Sequence, residues 1–365
     1  MGTAIYRAQT IGSMLRPASL REARQALRQG AISRAAFKEI EDRAVDHALA
    51  LQARAGIELV TDGEQRRASF LGSLLETTEG LSRNLSITKR WHEDDERVAE
   101  LSLGLAVTGK LRRVSSMVCE EYAYARARST PIKVTLPSPM MLLMFWAPEF
   151  ARGSYNHVFE LFVDGAEVIR AEIAELARMG CEHIQIDAPE LAILIDPAAR
   201  REVFERNDID PARVLGEGVE LLNSLADAPG ASFGLHLCRG NNDGRWLSKG
   251  GYEAISKQVF RRANRFATFL LEYDDARSGG FEPLADIPRD KLVVLGLVST
   301  KHPELESEEM LIDRIEQAAR YFPRDQLALS PQCGFASGIK GNPLDETSEE
   351  AKLRLVAEVA RRVWG

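Results

Sequence analysis

Short apolar runs alternate with helical patterns along this 365-residue chain, and the alternation limits its fold more than any other feature. The runs are rich in aliphatic and β-branched residues, whereas the segments between them carry apolar residues three and four positions apart. Apolar strands joined by helices are typical of a parallel sheet that is covered on both faces. The predicted strands are residues 4–13, 57–64, 132–136, 183–187, 232–238, 268–273, 292–299 and 326–331.

Eight strands of this kind predict an α/β fold, a single TIM (β/α)8 barrel that spans residues 1–365. A Gly-x-Gly-x-x-Gly fingerprint is missing from the sequence, which makes a dinucleotide-binding fold the weaker alternative. Apolar periodicity, with Ser33 as one N-cap, indicates the positions of the helices. The predicted helices are residues 19–29, 33–56, 159–179, 211–227, 252–264, 307–322 and 348–363.

Residues 65–129 interrupt the alternation, so we predict an insertion after the second strand. Within it, the glycine of Val107-Thr108-Gly109-Lys110-Leu111 suggests a hairpin turn. The charged run 91–97 is typical of a solvated surface. A long insertion near the start of a barrel favours either a lid over the active site or an oligomer contact, and the sequence leaves both open.

Composition excludes several classes of function. The formal net charge is −7 and 28% of the residues are charged, which argues against nucleic acid and anionic membrane surfaces as partners. No apolar run reaches the roughly 18 residues of a membrane span, and the first residues lack the apolar segment of a signal peptide. We therefore expect a cytoplasmic protein that acts on small molecules, and a homo-oligomer is compatible with this expectation.

Side chains suited to chemistry follow the predicted strands. Successive residues of a strand point to opposite faces, so His236 and Cys238 should project together where the fifth strand ends. Because TIM-barrel active sites form at the carboxyl ends of the strands, the other ends become candidates as well. The residues at these ends are Ser13, Asp62, Glu64, Ser138, Asp187, His236, Cys238, Glu272, Lys301 and Cys333.

Imidazole and thiolate groups are preferred ligands of zinc, and a barrel brings its last four strands around one rim. The sequence therefore suggests a zinc site made by His236, Cys238, Glu272 and Cys333. For Glu272 the alternative is a salt bridge with a basic residue at a neighbouring strand end, and Asp274 and Asp275 compete with it as the ligand. A site with two thiolates suits the activation of an incoming thiol better than that of water.

The cysteines outside these strand ends have a simpler interpretation. Cys119 lies in a helical run and Cys181 lies just before a strand. In a cytosolic chain of this size a disulfide framework is not expected. We predict that both are buried structural residues.

Taken in order, these motifs resemble those of the catalytic domain of cobalamin-independent methionine synthase, in a short form without the extra N-terminal half. The resemblance covers nearly the whole chain. It rests on Ile11-Gly12-Ser13, Asp62-Gly63-Glu64, Gln185-Ile186-Asp187-Ala188-Pro189, His236-x-Cys238, Glu272 and Cys333-Gly334.

The resemblance implies a reaction and a role for several residues. Zinc, held by the four ligands named above, would bind the thiol of homocysteine or a related acceptor, and a methyl or other alkyl group would pass to the sulfur. Ser13 would hold the acceptor carboxylate, while Glu64 and Asp187 would hold its ammonium group. Lys301, or His302 beside it, stands where the full-length enzyme has a histidine that serves as proton donor.

Departures from the family pattern leave the alkyl donor open. Ala188 replaces the second acidic residue, and the tryptophan associated with folate aligns with Phe145 or Trp146. A short relative, epoxyalkane:coenzyme M transferase, has the same His-x-Cys motif and opens an epoxide with a zinc-bound thiol. Its sulfonated acceptor calls for a cationic rim, which could come from Arg239 among other arginines, namely Arg66, Arg67 and Arg245.

Two further alternatives come from other classes of function. A metal-free decarboxylase is considered because the uroporphyrinogen decarboxylase fold is related, but the coincidence of His236, Cys238 and Cys333 disfavours it. A non-catalytic zinc-binding protein or metal store is disfavoured because the ligands lie at open strand ends, whereas structural zinc sites are usually local and closed. The presence of both Glu64 and Asp187 suits an amino-acid acceptor better. The Arg239-Gly240-Asn241 segment after the fifth strand is where we expect the residues that distinguish the substrate from homocysteine, with Arg239 as a candidate substrate-binding residue.

Overall fold

A closed ring of parallel strand segments forms the centre of the molecule. The computed structural model describes residues 5–83, 85, 87–92, 98–151 and 153–365, with the backbone alone for 87–92 and 98–103. Its strands, in chain order, are β1 (Thr78–Ser82), β2 (Ile87–His92), β3 (Val98–Leu103), β4 (Ala106–Arg113), β5 (Lys133–Pro137), β6 (His183–Asp187), β7 (Ser232–Leu237), β8 (Thr268–Glu272), β9 (Leu292–Val298) and β10 (Leu327–Pro331).

The six strands β5 to β10 pair in sequence order, and every pair is parallel. Two earlier segments close the ring through isolated bridges. Residues 8–9 pair with Leu329 of β10 and with Leu59, and Val60 in turn pairs with Ile132 beside β5. The predicted (β/α)8 barrel is therefore confirmed, with eight strand segments of which the first two are short.

The α-helices lie outside this ring. In chain order they are α1 (Ala18–Arg28), α2 (Arg34–Ala55), α3 (Gly72–Glu76), α4 (Cys119–Arg126), α5 (Pro148–Ala151), α6 (Val158–Arg178), α7 (Pro189–Ile193), α8 (Pro197–Val203), α9 (Pro211–Arg213), α10 (Val219–Leu225), α11 (Ser256–Val259), α12 (Glu308–Ala318) and α13 (Glu346–Trp364). None of the helices in the described part of the chain combines the length and apolar character needed to cross a lipid bilayer.

Strand alternation separates two kinds of side chain. In β7, Phe233, Leu235 and Leu237 belong to the large core between strands and helices. Since neighbouring residues point to opposite faces, His236 faces the barrel interior. A small apolar cluster fills part of that interior, and its members come from four segments, as Ile11, Leu270, Val294 and Ala328. The apolar faces hold the barrel together, whereas polar residues remain at its carboxyl end.

Most predicted helices are present, and one cap is directly confirmed. Ser33 accepts a hydrogen bond from the Ala36 N–H at 3.1 Å, and α2 ends at Gly56, which has a left-handed φ of 86°. The predicted helix 211–227 consists of α9 and α10 with a wider, π-type turn at Val214–Gly218 between them.

The helix predicted at 252–264 is much shorter than expected. It consists of a single 3₁₀ turn at Tyr252–Ala254 and the four-residue α11. The Tyr252 hydroxyl donates to the carbonyl of Leu237 and accepts the N–H of Glu272. These contacts anchor the segment to two strand ends, so tertiary contacts override the helical periodicity.

The predicted hairpin turn at 107–111 is wrong, because these residues lie within β4, which pairs with β1 in antiparallel fashion. The alternation of buried Val107 and Leu111 with more exposed neighbours is that of a strand. Gly109 lies opposite Gly80, where the register shifts and the backbones approach closely. A glycine in a strand can mark such an approach as readily as a turn.

The remaining insertion forms a second ladder, β2 with β3. The charged run 91–97 extends past β2 into residues 93–97, which lie outside the described residues. Arg83, Gly104 and Leu105 of the insertion line the cavity at the barrel's carboxyl end. The assignment of the insertion as a lid or an oligomer contact stays a prediction.

Candidate active site

A cavity of about 400 Å³ opens at the carboxyl end of the barrel. Its walls combine apolar side chains, among them Met141, Met144 and Phe145, with a few polar groups. Pockets of this kind are the usual place for small-molecule sites. Six of the residues predicted from the sequence line it, namely Ser13, Glu64, Asp187, His236, Cys238 and Cys333.

His236, Cys238 and Cys333 converge at one side of this cavity. Each can contribute a ligand atom, and these atoms lie within 4.8 Å of one another. All three residues are buried. The Nδ1 atom of His236 is 2.9 Å from Asp187 Oδ1, whereas its Nε2 atom has no hydrogen-bond partner among the described residues.

This arrangement fits a zinc ion. A carboxylate on one imidazole nitrogen directs the other nitrogen towards a metal, as is usual for histidine ligands. A buried polar atom without a partner is costly, and a bound ion would give Nε2 of His236 the partner that the described residues do not supply. The two thiols supply the sulfur ligands that zinc prefers.

The acidity of the three groups is linked. The hydrogen bond between the two thiols raises the pKa of Cys238, which donates, and lowers the pKa of Cys333, which accepts. Burial alone would lower the pKa of His236, but the hydrogen bond and charge of Asp187 outweigh burial and raise it. Of the two thiols, that of Cys333 is therefore the more acidic.

Glu272, the fourth predicted ligand, is fully buried at the end of β8 and faces other partners. Its Oε1 atom is 3.1 Å from Lys301 Nζ, and its Oε2 atom accepts the backbone N–H of Arg239 at 2.6 Å. Lys301 also lies 2.7 Å from Asp274 Oδ2. Glu272 is therefore next to the cluster but held in an ion pair.

Glu64 and Asp187 present carboxylates to the cavity from two different segments. Glu64 Oε1 accepts from the Thr135 hydroxyl at 2.8 Å and lies 3.7 Å from Arg67, while its Oε2 atom has no partner among the described residues. Burial raises the pKa of Glu64, and the charge of Arg67 opposes this rise. Asp187 is held by Gln185 and His236 through its Oδ1 atom.

Ser13 lies beside Gly334, the residue after Cys333. The backbone N–H of Phe335 donates to the Ser13 carbonyl at 2.8 Å. A Cβ atom on Gly334 would lie 2.1 Å from the Ser13 hydroxyl oxygen, so only glycine allows this approach. The first segment and the last strand are thereby joined at the cavity.

Four predicted site residues do not line the cavity: Glu272 and Lys301, described above, and Arg239 and His302. The Arg239 side chain is fully buried, and its guanidinium donates to Tyr252 and to three carbonyls, those of Gly250, Glu272 and Ser278. His302 is about half exposed and its Nδ1 atom lies 3.1 Å from Glu304. Neither residue lines the cavity.

The structure also reveals contributors that the strand-end rule missed. Arg67 and Thr135 hold Glu64, and Asn241 lines the cavity two residues after Arg239. Thr135 is inside β5 and shares the inward face, so strand alternation would have indicated it. Arg67 carries no such signal, because its contacts with Glu121 and Thr135 join distant parts of the chain.

A family model described as "Cobalamin-independent synthase, Catalytic domain" matches residues 6–362. The chain belongs to this family. The resemblance seen in the sequence motifs is thus confirmed over nearly the whole chain.

Among curated relatives, the chain is 34% identical to the uncharacterized protein YxjH of Bacillus subtilis (strain 168), covering 99% of this chain and 95% of YxjH. It is 26% identical to the methionine synthase of Saccharolobus solfataricus, covering 89% of this chain and 86% of that protein. Both matches therefore extend over most of each chain.

Among solved structures, a B12-independent methionine synthase from Shewanella sp. W3-18-1, in complex with selenomethionine, superposes with a TM-score of 0.77. The two chains are 21% identical, and the match covers 99% of this chain and 98% of the other. At this identity the similarity supports the shared barrel fold.

Proposed function

We propose that this protein is a zinc-dependent alkyltransferase that moves a methyl group, or another alkyl group, to the thiol of homocysteine or a related amino acid. The observation that carries the proposal is the convergence of His236, Cys238 and Cys333 in the wall of a cavity, with Nε2 of His236 unpartnered by any of the described residues. The names of the methionine synthase relatives support the choice of reaction.

Each group in the cavity has a task in this proposal. His236, Cys238 and Cys333 would hold the zinc ion, which lowers the pKa of the acceptor thiol when it is bound. Glu64 and Asp187 would receive the ammonium group of the acceptor, since both present carboxylates to the cavity. Ser13 would receive the acceptor carboxylate.

The transfer itself is a displacement at carbon. The electron pair of the acceptor thiolate forms a new S–C bond with the alkyl carbon, and the bond from that carbon to its leaving atom breaks. The leaving atom keeps the electron pair and then takes a proton. The barrel's contribution is to align sulfur and carbon within a cavity that excludes most water.

The identity of the alkyl donor is not fixed by this proposal, and folate remains one candidate. Met141, Met144 and Phe145 form an apolar wall against which a donor could pack. We expect the reaction in the cytoplasm, where thiols stay reduced. All four cysteines are free and buried, as such a compartment allows.

Epoxide opening by a sulfonated thiol is the alternative. Three of the arginines suggested for its cationic rim are engaged within the protein. Arg66 binds Asp42, Arg67 binds Glu121, and the guanidinium of Arg239 is surrounded by protein acceptors. These contacts support an amino-acid acceptor instead.

Metal analysis tests the proposal. The purified protein should contain about one zinc ion, and Cys238→Ser or Cys333→Ser should weaken zinc binding by more than about 100-fold, because zinc sites depend on their thiolates. Cys181→Ser, which replaces a buried cysteine outside the site, is the matched control and should retain zinc. Full zinc retention in both ligand variants would contradict the proposal.

Acceptor choice is measured separately by proton release. Titration with homocysteine should release protons as its thiol binds the loaded site, whereas coenzyme M should not. Release with coenzyme M alone would instead favour the epoxide reaction.

A further inference from the structure

Asn241 brings an unused hydrogen-bond acceptor to the cavity. The residue is 5% exposed and lines the cavity wall three positions after Cys238. Its Nδ2 atom donates to the carbonyl of Gly334 at 2.8 Å, whereas its Oδ1 atom has no partner among the described residues. A buried amide oxygen without a hydrogen bond is costly, so this atom is suited to receive one from a bound molecule.

Neighbouring groups determine which end of the Asn241 amide is left without a partner. The Thr300 hydroxyl donates to the Gly334 carbonyl at 3.1 Å. Its oxygen can then accept from the amides of Asn241, at 3.4 Å, and of Asn342, at 3.2 Å. Turning the Asn241 amide over would place Oδ1 against the Gly334 carbonyl, and two acceptors cannot form a hydrogen bond. Oδ1 is therefore the atom that remains for a ligand.

The chain that leads to Asn241 is held firmly in place. The buried guanidinium of Arg239 donates to backbone carbonyls, among them that of Gly250 at 2.9 Å. Gly240 then turns the chain with a left-handed φ of 87°, and a Cβ atom there would lie 3.0 Å from Leu247. The Asn241 side chain is thus positioned before any ligand binds, which lowers the entropic cost of binding.

The proposed acceptor offers no group for this oxygen. Its thiol would bind the metal, its ammonium group would lie with Glu64 and Asp187, and its carboxylate, assigned to Ser13, has no proton to donate. An amide oxygen only accepts hydrogen bonds, so its partner must carry an N–H or O–H group. The alkyl donor is the other molecule that the cavity has to hold.

We infer that Asn241 is a specificity-determining residue for the alkyl donor, and that its Oδ1 atom accepts a hydrogen bond from an N–H or O–H group beside the transferred alkyl group. The inference rests on the proposed function and names a class of donor within it. A donor without such a group would leave the buried oxygen unpaired, and sites of this kind discriminate strongly against analogues that lack the hydrogen bond.

Donor choice is the first test. Methyl transfer to homocysteine by the zinc-loaded protein is compared for methyltetrahydrofolate, which has an N–H in the same ring as its methyl-bearing nitrogen, and for trimethylsulfonium, which has neither N–H nor O–H. The kcat/KM for the first donor should exceed that for the second by more than about 100-fold. A preference for trimethylsulfonium, or transfer from neither donor, would overturn the inference.

Asn241→Leu replaces the amide with an apolar group of similar size. The kcat/KM for methyltetrahydrofolate should fall about 30-fold, while zinc affinity and the proton-release titration with homocysteine stay within about threefold of the wild type. Weaker homocysteine binding with unchanged use of the donor would make Asn241 a contact of the acceptor and would overturn the inference. Asn241→Ala should show the same division of effects and decides the matter should the leucine variant not fold.

Thr300 supplies the matched control. Its hydroxyl donates to the same Gly334 carbonyl, but the residue does not line the cavity. Thr300→Val should lower the kcat/KM for methyltetrahydrofolate by less than about threefold, and an equal loss in Thr300→Val and Asn241→Leu would show that both residues act only by holding Gly334. A wild-type protein that binds neither zinc nor homocysteine would contradict the proposed function itself, whereas a failure confined to the donor would contradict only this inference.

Discussion

Two places among the described residues bring cysteine together with other potential metal ligands, and they differ in how the ligand atoms are used. At the barrel rim, His236 Nε2 lacks a partner among the described residues, and the free thiol of Cys238 donates a hydrogen bond to Cys333. In the second place, Cys119 lies with Glu172 and Glu175 in an equally close group.

The second group is satisfied by the protein. Arg113 bridges the two carboxylates, at 2.6 Å from Glu172 and 2.8 Å from Glu175. The other Glu172 oxygen accepts from the Ser116 hydroxyl and from the backbone N–H groups of Val118 and Cys119. Closeness of ligand atoms alone is thus a poor criterion for a metal site, and atoms without protein partners are the better one.

The largest expected effect is on stability, in the second group. Glu172→Ala should lower the free energy of unfolding by about 4 kcal/mol, because the change removes one of the two carboxylates that Arg113 pairs with and leaves the Ser116 hydroxyl and two backbone N–H groups without their acceptor. Urea unfolding measures this loss, with zinc content as the parallel reading. Zinc loss in a folded Glu172→Ala protein would show that the two groups are not independent.

The contribution of Glu172 to the free energy of unfolding should also depend on pH. Burial alone would raise the pKa of Glu172, but the hydrogen bonds from backbone N–H groups and from Arg113 outweigh burial and lower it. Its stabilising contribution is therefore complete above the ordinary glutamate pKa of about 4.3 and is lost as pH falls through the lower folded value. The stability advantage of the wild type over Glu172→Gln should shrink only at acid pH.

A smaller effect is expected at Asp187, in the first group. Asp187→Asn should weaken zinc binding by about tenfold, since His236 Nδ1 loses the carboxylate that orients the ring. Chelator competition measures the affinity, and unfolding of the zinc-free protein should change little. An unchanged zinc affinity would mean that the ring is oriented by its packing alone.

The smallest effect concerns one hydroxyl of the second group. Ser116→Ala removes the 2.8 Å hydrogen bond to Glu172 Oε1, which two backbone N–H groups also satisfy. We expect a loss of about 1 kcal/mol in the free energy of unfolding. A loss as large as that of Glu172→Ala would indicate that the hydroxyl, rather than Arg113, holds this group together.

How much the sequence could predict depends on the range of the interactions. Strand alternation placed His236 and Cys238 on one face, because the pleat sets side-chain direction locally. The expectation that a barrel's active site forms at the carboxyl ends of its strands then added Cys333, which follows the strand that closes the ring. These predictions needed only the order of strands and the side on which each residue falls.

Side-chain partners could not be predicted in the same way. The guanidinium of Arg239 points towards the protein interior, because carbonyl acceptors from three distant segments surround it there. The salt bridge left open for Glu272 proved to be with Lys301. Gly109 resembled a turn residue, although its role depends on Gly80 across the ladder. Such outcomes follow from contacts between segments far apart in the chain.

The short pairing of the first two barrel segments has a consequence for motion. Residues 8–9 and 59–60 are joined to the ring by isolated bridges, whereas β5 to β10 form a continuous ladder. Segments with few backbone hydrogen bonds open locally at lower cost. An acceptor held by Glu64 on one side and by His236, Cys238 and Cys333 on the other would connect these weakly paired segments to the continuous ladder. Its binding should therefore slow amide hydrogen exchange in these two segments more than elsewhere in the barrel.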